Sequence, residues 1–303
     1  MFRALKYIVF SLLIISFCHS FSQPDTLNKK RLKTVIIGES ALYGISMTGL
    51  YLLWYKDYPS TSFHFFNDNN EWNQMDKVGH ATTAYYIGKL GMNTLKWAGL
   101  PKKKQLVYGG SLGFVYLTTI EVFDAFSQEW GFSWGDMIAN ASGTGLLIGQ
   151  ELAWGEQRIT MKYSFHRSEY WQLRPGLLGE NLLQNALKDY NGQTYWLSLN
   201  LNAFLKKEHF PNWLNVAFGY GANGMISGFD EPVLITKDHN TEIYLQTHRT
   251  RSFYFSLDVD LTRVKTQSKV LNTVFNAVGF IKIPFPAVSI NSDNAFTFHP
   301  VYF

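Results

Sequence analysis

Cysteine is almost absent from this sequence, because the single cysteine among 303 residues is Cys18. It lies in an N-terminal segment that has two basic residues, an apolar run over residues 7–17 and then small residues up to Ser22. This order is typical of an export signal, and the apolar run is too short to cross a bilayer. We predict a signal peptide over residues 1–22. A mature chain beginning at Gln23 would contain no thiol, which excludes disulfides, cysteine metal sites and cysteine nucleophiles.

Charge is also scarce. Charged residues make up 17% of the sequence and aromatic residues another 17%, whereas an average soluble domain has about 25% charged residues. This balance indicates contact with a membrane. The net charge of +4 is small and the basic residues form no stripe, so nucleic acid is not an expected partner. We expect membrane lipid and envelope proteins as partners.

Common catalytic motifs are missing as well. No glycine-rich loop precedes a lysine, no serine lies in a strand–turn–helix elbow, and no helix carries paired histidines at metal-binding spacing. The sequence therefore favours a non-enzymatic protein without a cofactor. A divalent metal at the polar cluster of the helices is the alternative.

Helical periodicity dominates the first half of the chain. The predicted helices cover Val35–Trp54, Met75–Ala98, Gln105–Phe126 and a segment from Ser133 onward. Short turns, such as the basic turn at residues 101–104, make successive helices antiparallel. We predict a four-helix up-down bundle over residues 31–158. Its first helix is about one bilayer crossing long with a single charge, Glu39, and is the predicted transmembrane helix.

Small residues recur four apart in the later helices, at Gly109 and Gly113 and at Ala141, Gly145 and Gly149. This spacing lets helix backbones approach closely in lipid. Tight packing in a soluble bundle explains the same spacing.

Basic residues collect at one end of the predicted bundle. Residues 29–33 precede the first helix and residues 102–104 follow the second. After signal cleavage this end would be periplasmic, which opposes the positive-inside tendency of inner-membrane proteins. We expect an exported cell-envelope protein, with the outer membrane favoured and the inner membrane, with a retained signal, as the alternative.

Three pairs of polar residues interrupt these apolar helices, and each pair lies on one helix face. The pairs are Asp76/His80, Glu121/Asp124 and Asp136/Asn140. The alternating helix directions place all three pairs at the same end of the bundle. We therefore predict that their side chains converge there.

Helix capping explains why some of these acids lie where they do in their helices. Ser133 and Asp136 have the spacing of a helix cap, but Glu121 and Asp124 lie near a helix C-terminus, where negative charge opposes the helix dipole. Carboxylates gathered at one buried end repel one another unless a cation lies among them. Protonated His80, Lys77 or a bound metal would supply that cation.

Three interpretations of the cluster follow. One is a structural polar network, one is a site for a ligand or lipid headgroup, and one is a divalent-metal site with catalysis such as phosphoester hydrolysis. The candidate metal ligands are His80, Glu121, Asp124 and Asp136.

Beyond Arg158 the hydrophobic period changes to two, most clearly over Ser252–Thr262. The other strong strand candidates are Tyr195–Phe204 and Leu214–Asn223, and about six strands are predicted in all, with one wet and one apolar face each. We predict an antiparallel, partial barrel-like β-rich half over residues 159–303, with short helices at residues 177–190 and 268–278. Such strands fit a bacterial outer-membrane β-structure, and a sheet on a soluble core would show the same alternation. The predicted fold class is thus α+β and membrane-associated.

The motifs of the helical half are Asp76-Lys77-x-Gly79-His80, Glu121-x-x-Asp124 and Ser133-x-x-Asp136-x-x-x-Asn140-x-x-Gly143. On these motifs the chain resembles the YfiM-like family of uncharacterised periplasmic lipoproteins. The segment Asp189–Ser198 resembles long members of that family. A fainter resemblance is to VanZ-like membrane proteins, which share the Asp-Lys-x-x-His pattern, and neither resemblance implies an established chemistry. Phe17 stands where a lipoprotein signal has a small residue before Cys18, so lipid attachment at Cys18 is not expected.

Overall fold

A computed structural model describes residues 26–205, 210–237 and 241–303, so the predicted signal peptide lies outside the described residues. The chain divides into two compact units. The first, called the helical unit here, comprises residues up to Asp68, His80–Gln157 and Lys265–Ala277. The second, called the sheet unit, comprises Asn69–Gly79, Arg158–Val264 and Val278–Phe303.

Within the part of the chain that the structure describes, four long helices precede the strands, and the structure confirms that the N-terminal half is helical. They are α1 (Lys29–Leu50), α2 (Met75–Trp97), α3 (Lys102–Asp124) and α4 (Trp134–Ala153). α3 contains a π-helical turn at Gln105–Gly110, and another π-helical turn, Tyr51–Tyr55, follows α1. Short helices follow at α5 (Pro175–Leu178), α6 (Leu182–Lys188), α7 (Leu201–Leu205) and α8 (Lys269–Val278).

Contacts within the helical unit show how the long helices run. The Asn28 amide at the start of α1 donates to the Ala98 carbonyl just after α2. Further along α1, Glu39 accepts from Thr94 at 2.6 Å, so α1 and α2 are antiparallel. Gly113 of α3 approaches α2 so closely that a Cβ there would overlap the backbone of Ala84.

One helix among the described residues is long and apolar enough to cross a membrane, namely α3. Core helices of soluble proteins can have the same length and composition. The predicted transmembrane helix over Val35–Trp54 is not confirmed, because α1 begins among basic residues at Lys29 and ends at Leu50.

The sheet unit is built on six antiparallel strands in the order β1-β2-β3-β6-β7-β8, and β4 and β5 form a separate hairpin. This confirms the predicted antiparallel sheet, and the described strands form no closed barrel. The strands are β1 (Ile159–Phe165), β2 (Gln193–Asn200), β3 (Leu214–Asn223), β4 (Val233–Lys237), β5 (Thr241–Leu245), β6 (Thr250–Val259), β7 (Phe285–Asn291) and β8 (Phe296–Tyr302).

Two predicted strands were too long. The strand over Tyr195–Phe204 ends at Asn200, whose side chain accepts from the Ala203 amide and starts α7. The strand over Ser252–Thr262 ends at Val259, because the side chain of Asp260 accepts from the Thr262 amide and caps a 3₁₀ turn. The predicted helix at residues 177–190 is two shorter helices, α5 and α6.

The two faces of the six-stranded sheet differ sharply. The face called the inner face here carries buried residues, among them Lys162, Trp196, Ser198, Asn215 and Asp258. The outer face carries exposed apolar residues on five strands: Leu197, Phe218, Phe253, Phe255, Ile290 and Phe298. The alternation therefore predicted one polar and one apolar face correctly, but the polar face is the buried one.

The inner face holds a connected polar network. Lys162 Nζ lies 2.7 Å from Asp258 Oδ2. Ser198 donates to the same carboxylate oxygen at 2.6 Å and accepts from Asn215 at 2.8 Å. These bonds satisfy groups that would be costly to bury alone.

Candidate functional site

The candidate site lies at one end of the helical unit, where Ser133 organises the carboxylates. Its Oγ accepts from the Asp136 amide at 3.1 Å, which caps α4 as predicted. Its backbone amide donates to Glu121 Oε2 at 3.1 Å, and its Oγ lies 2.5 Å from Asp68 Oδ1. The Glu121 carboxylate opposes the dipole of its own helix but faces the favourable N-terminus of α4.

His80 lies between the acids of two helices. Its Nδ1 is 3.1 Å from Asn140 Oδ1, and with this amide orientation the proton is on Nδ1. The same nitrogen is 3.9 Å from Glu121 Oε1, and Nε2 is 3.8 Å from Asp136 Oδ1. Three helices thus bring together the four predicted residues His80, Glu121, Asp136 and Asn140.

Three of these four residues are almost fully inaccessible to solvent, whereas the His80 side chain is 23% exposed. Relative exposures are 1% for Glu121, 5% for Asp136 and 0% for Asn140. Among the described residues, Asn140 Nδ2 has no hydrogen-bond partner. A buried amide donor that stays unpaired costs about 1–3 kcal/mol, so this atom favours a bound oxygen atom beside it.

Burial and mutual repulsion raise the pKa values of two acids at this site, Glu121 and Asp124. Burial, with added repulsion from Asp136 and Asp124, raises the pKa of Glu121 to about 9 despite the Ser133 amide. Burial raises the pKa of Asp124 to about 7, although a hydrogen bond from Tyr55 lowers it. The cluster therefore either holds protons at neutral pH or is neutralised by a cation.

The donor atoms fit a divalent metal. His80, Glu121 and Asp136 each offer one ligand atom, and these three atoms lie within 4.8 Å of one another. Metal bonds of about 2.0–2.2 Å need a slightly smaller triangle, which rotation of the side chains can provide. One imidazole and two carboxylates suit a first-row transition metal.

The other predicted site residues have different partners. Asp124 accepts from the Tyr55 hydroxyl at 2.6 Å and acts on Glu121 only through its charge. Asp76 and Lys77 belong to the segment Asn69–Gly79 of the sheet unit, where they form an ion pair at 3.1 Å.

Sequence reasoning missed Asp68 and Tyr55 as neighbours of the cluster. Asp68 lies between helices, where no periodic pattern marks it, and Tyr55 comes directly after the predicted first helix. The spacing of Ser133 and Asp136 does predict a cap, but the second bond of Ser133, to Glu121, has no signal in the sequence.

Comparison with curated proteins and with solved structures gives no match. A family model described as "Predicted periplasmic lipoprotein (DUF2279)" matches residues 64–148. The matched segment contains the whole group of His80, Glu121, Asp136 and Asn140. Over this segment the chain is similar to a family described as predicted periplasmic lipoproteins, which confirms the resemblance predicted from its motifs.

Proposed function

We propose that this chain is a non-enzymatic protein of the bacterial outer membrane, and that its helical unit is an up-down bundle that binds a divalent metal ion. The ligands are His80, Glu121 and Asp136. The observation that carries the proposal is the convergence of these three side chains from three helices, within 4.8 Å of one another.

Burial of the two carboxylates supports a structural role for the metal, and the third ligand, His80, is 23% exposed. Structural metal sites are closed, whereas catalytic sites keep one position open for water or substrate. Glu121 and Asp136 are buried, and the carboxylates are further enclosed by Ser133, which is 1% exposed. The metal would join α2, α3 and α4 and offset the repulsion between the acids.

Membrane association is supported by the surface of the helical unit. Apolar side chains are exposed on α1, at Ile36, Ile37 and Ile45. Aromatic side chains at the acidic end, among them Phe63 and Phe65, are exposed and packed on one another with ring centroids 5.3 Å apart. Aromatic rings of this kind collect at membrane–water interfaces. The export signal and the basic end favour the outer membrane.

A proton-neutralised polar network is the second candidate. It is favoured by the raised pKa values of Glu121 and Asp124, because carboxylic acids that hold protons at neutral pH need no metal. The two candidates differ in their response to chelators.

The test is thermal unfolding of the purified chain with and without a chelator, followed by addition of Mn²⁺, Zn²⁺ or Mg²⁺. We expect the wild type to lose several degrees in Tm with chelator and to regain them with one of these metals. Glu121→Gln removes a ligand charge while keeping the shape, so its Tm should not respond to chelator.

Glu39→Gln is the matched control. Glu39 is also partly buried and hydrogen-bonded, to Thr94, but it lies outside the cluster. This variant should respond to chelator and metal as the wild type does. A wild-type Tm that changes with neither chelator nor metal would reject the metal site in favour of the protonated network.

A further inference from the structure

The outer face of the six-stranded sheet carries exposed apolar residues on five strands, except near Tyr195 and Tyr220, which pack on Met75. Phe218, Phe255 and Ile290 are 51%, 44% and 46% exposed, and Phe298 at the β8 edge is 60% exposed. Neighbouring strands place these residues side by side, since Phe218 pairs with Phe255 and Phe255 pairs with Val288. Scattered exposed apolar residues are common, but a continuous patch of this kind marks a binding surface.

The buried polar residues of the inner face distinguish this sheet from one that is surrounded by water. A sheet surrounded by water buries its apolar face and exposes its polar one. Here the charged pair Lys162–Asp258 is buried, and a second lysine, Lys282, is 0% exposed and donates to the carbonyls of Leu257 and Ile283. Strands with polar residues inside and apolar residues outside are typical of proteins whose outer surroundings are lipid.

Curvature encloses this polar interior. Thr194 of β2 and Tyr302 of β8 are hydrogen-bonded at 2.9 Å, although three strands lie between theirs in the sheet. The rings of Trp196 and Tyr302 are 5.8 Å apart across the same interior. The inner face is therefore filled by its own side chains, and Phe218, Phe255 and Ile290 of the outer face stay exposed.

On the outer face, charged residues lie only at the ends of the described strands of the sheet. Arg158 immediately precedes β1, and Arg251 lies near the start of β6, at the opposite end of the sheet. Between these ends, the described residues of β2, β3, β7 and β8 place no charged side chain on the outer face. A neutral band between charged ends is typical of a surface that faces acyl chains.

We propose that the outer face of the sheet is a lipid-facing surface, covered by the acyl chains of a phospholipid bilayer. This inference rests on the proposed membrane location and adds which surface meets the lipid. Phe253, Phe255 and Phe218 form its centre.

Because the sequence has a single cysteine, the test can use site-specific labelling of introduced cysteines. With Cys18 replaced by serine, single-cysteine variants of the full chain carry an environment-sensitive fluorophore at one chosen position. Phe255→Cys reports on the outer face, and Phe298→Cys provides a second position should the first variant fail to fold. Glu180→Cys, an exposed position of the sheet unit, is the matched control.

The labelled proteins are reconstituted into phosphatidylethanolamine–phosphatidylglycerol vesicles, with and without lipids carrying nitroxide quenchers on their acyl chains. We expect a blue shift and at least twofold quenching at position 255 or 298, and neither at position 180. Co-flotation with the vesicles is measured in parallel.

The outcomes separate the two proposals. Flotation without quenching on the outer face would overturn the lipid-facing surface and leave the membrane location intact. Failure to float would overturn both. A blue shift at position 255 without lipid, together with a dimer in size-exclusion chromatography, would assign the face to a second copy of the chain instead.

Discussion

At the scale of single residues, Ser133 explains why Glu121 is tolerated near a helix C-terminus. The Ser133 amide is one of the first N–H groups of α4, and such groups lack partners within their own helix. Glu121 satisfies this group at 3.1 Å, so a charge that is unfavourable for α3 is favourable for α4. The two helix ends therefore depend on each other.

The pKa values of Glu121 and Asp124 predict how stability depends on pH. Both are raised in the folded protein, from 4.5 to about 9 and from 3.8 to about 7, so the folded state holds these protons more tightly than the unfolded state. Their contribution to stability is complete below about pH 4 and is lost as the pH rises through about 7 and then about 9. Each tenfold difference in proton affinity between the folded and unfolded states corresponds to about 1.4 kcal/mol.

We expect the Tm of the metal-free protein to fall between pH 5 and pH 9. Glu121→Gln should flatten the part of the decline between pH 7 and pH 9, since the amide does not titrate. Circular dichroism melts at intervals across this range measure the difference between the two proteins. A wild-type Tm that rises over the same interval would contradict the assignment.

The convergence of four site residues could be predicted from sequence, but the role of Asp124 could not. Helical spacing and two short turns determine which end of each helix a residue occupies, and this was enough for His80, Glu121, Asp136 and Asn140. The side chain of Asp124 is held by Tyr55, the last residue of the π-helical turn that follows α1. The local sequence pattern around Asp124 contains no information about a hydrogen-bond partner that is so distant in sequence.

At the scale of elements, glycines determine how closely the helices pack. The four-residue spacing correctly marked Gly113, which lies against the backbone of Ala84. It also marked Gly145 and Gly149, where an added Cβ would meet nothing within 4 Å. The close contact of α4 is at Gly143, where a Cβ would overlap the backbone of Ala81.

Alanine at two glycines of α4 should therefore have opposite effects. Gly143→Ala forces α2 and α4 apart and should reduce the free energy of unfolding by about 1–3 kcal/mol. Gly145→Ala meets open space and should raise it by about 0.5–1 kcal/mol through helix propensity. Urea denaturation measures both, and equal effects would show that α2 and α4 do not pack at Gly143.

Strand periodicity has a limit of a different kind. Alternation predicted β3 over Leu214–Asn223 and the faces of β6, because side chains point to opposite sides at every second residue. It did not predict which face is buried. That depends on partners distant in sequence, such as Lys162 for Asp258.

At the scale of the whole molecule, export is the property that leads to the proposed location. The family match supports a cell-envelope protein, whereas the choice of membrane rests on the predicted signal and the basic residues at one end of the helices. Both features can be examined on the protein made by cells.

We expect mass spectrometry of the purified protein to give a mature N-terminus at Gln23, because small residues precede that position. Density-gradient fractionation should recover the chain with outer-membrane markers. Recovery with inner-membrane markers and residues 1–22 intact would contradict both expectations. A variant with arginine in the apolar run, Leu12→Arg, is the control and should remain uncleaved.

The bond between Thr194 and Tyr302 also bears on the order of events during biogenesis. These residues are 108 positions apart, and the Lys162 ammonium likewise bonds the Val259 carbonyl 97 positions away. Sheets closed by such distant contacts fold slowly, because the chain entropy of large loops is lost before the contacts form. We therefore expect the phenylalanines of the outer face to stay exposed while these distant contacts form, which would favour binding by a holding chaperone during this stage of folding.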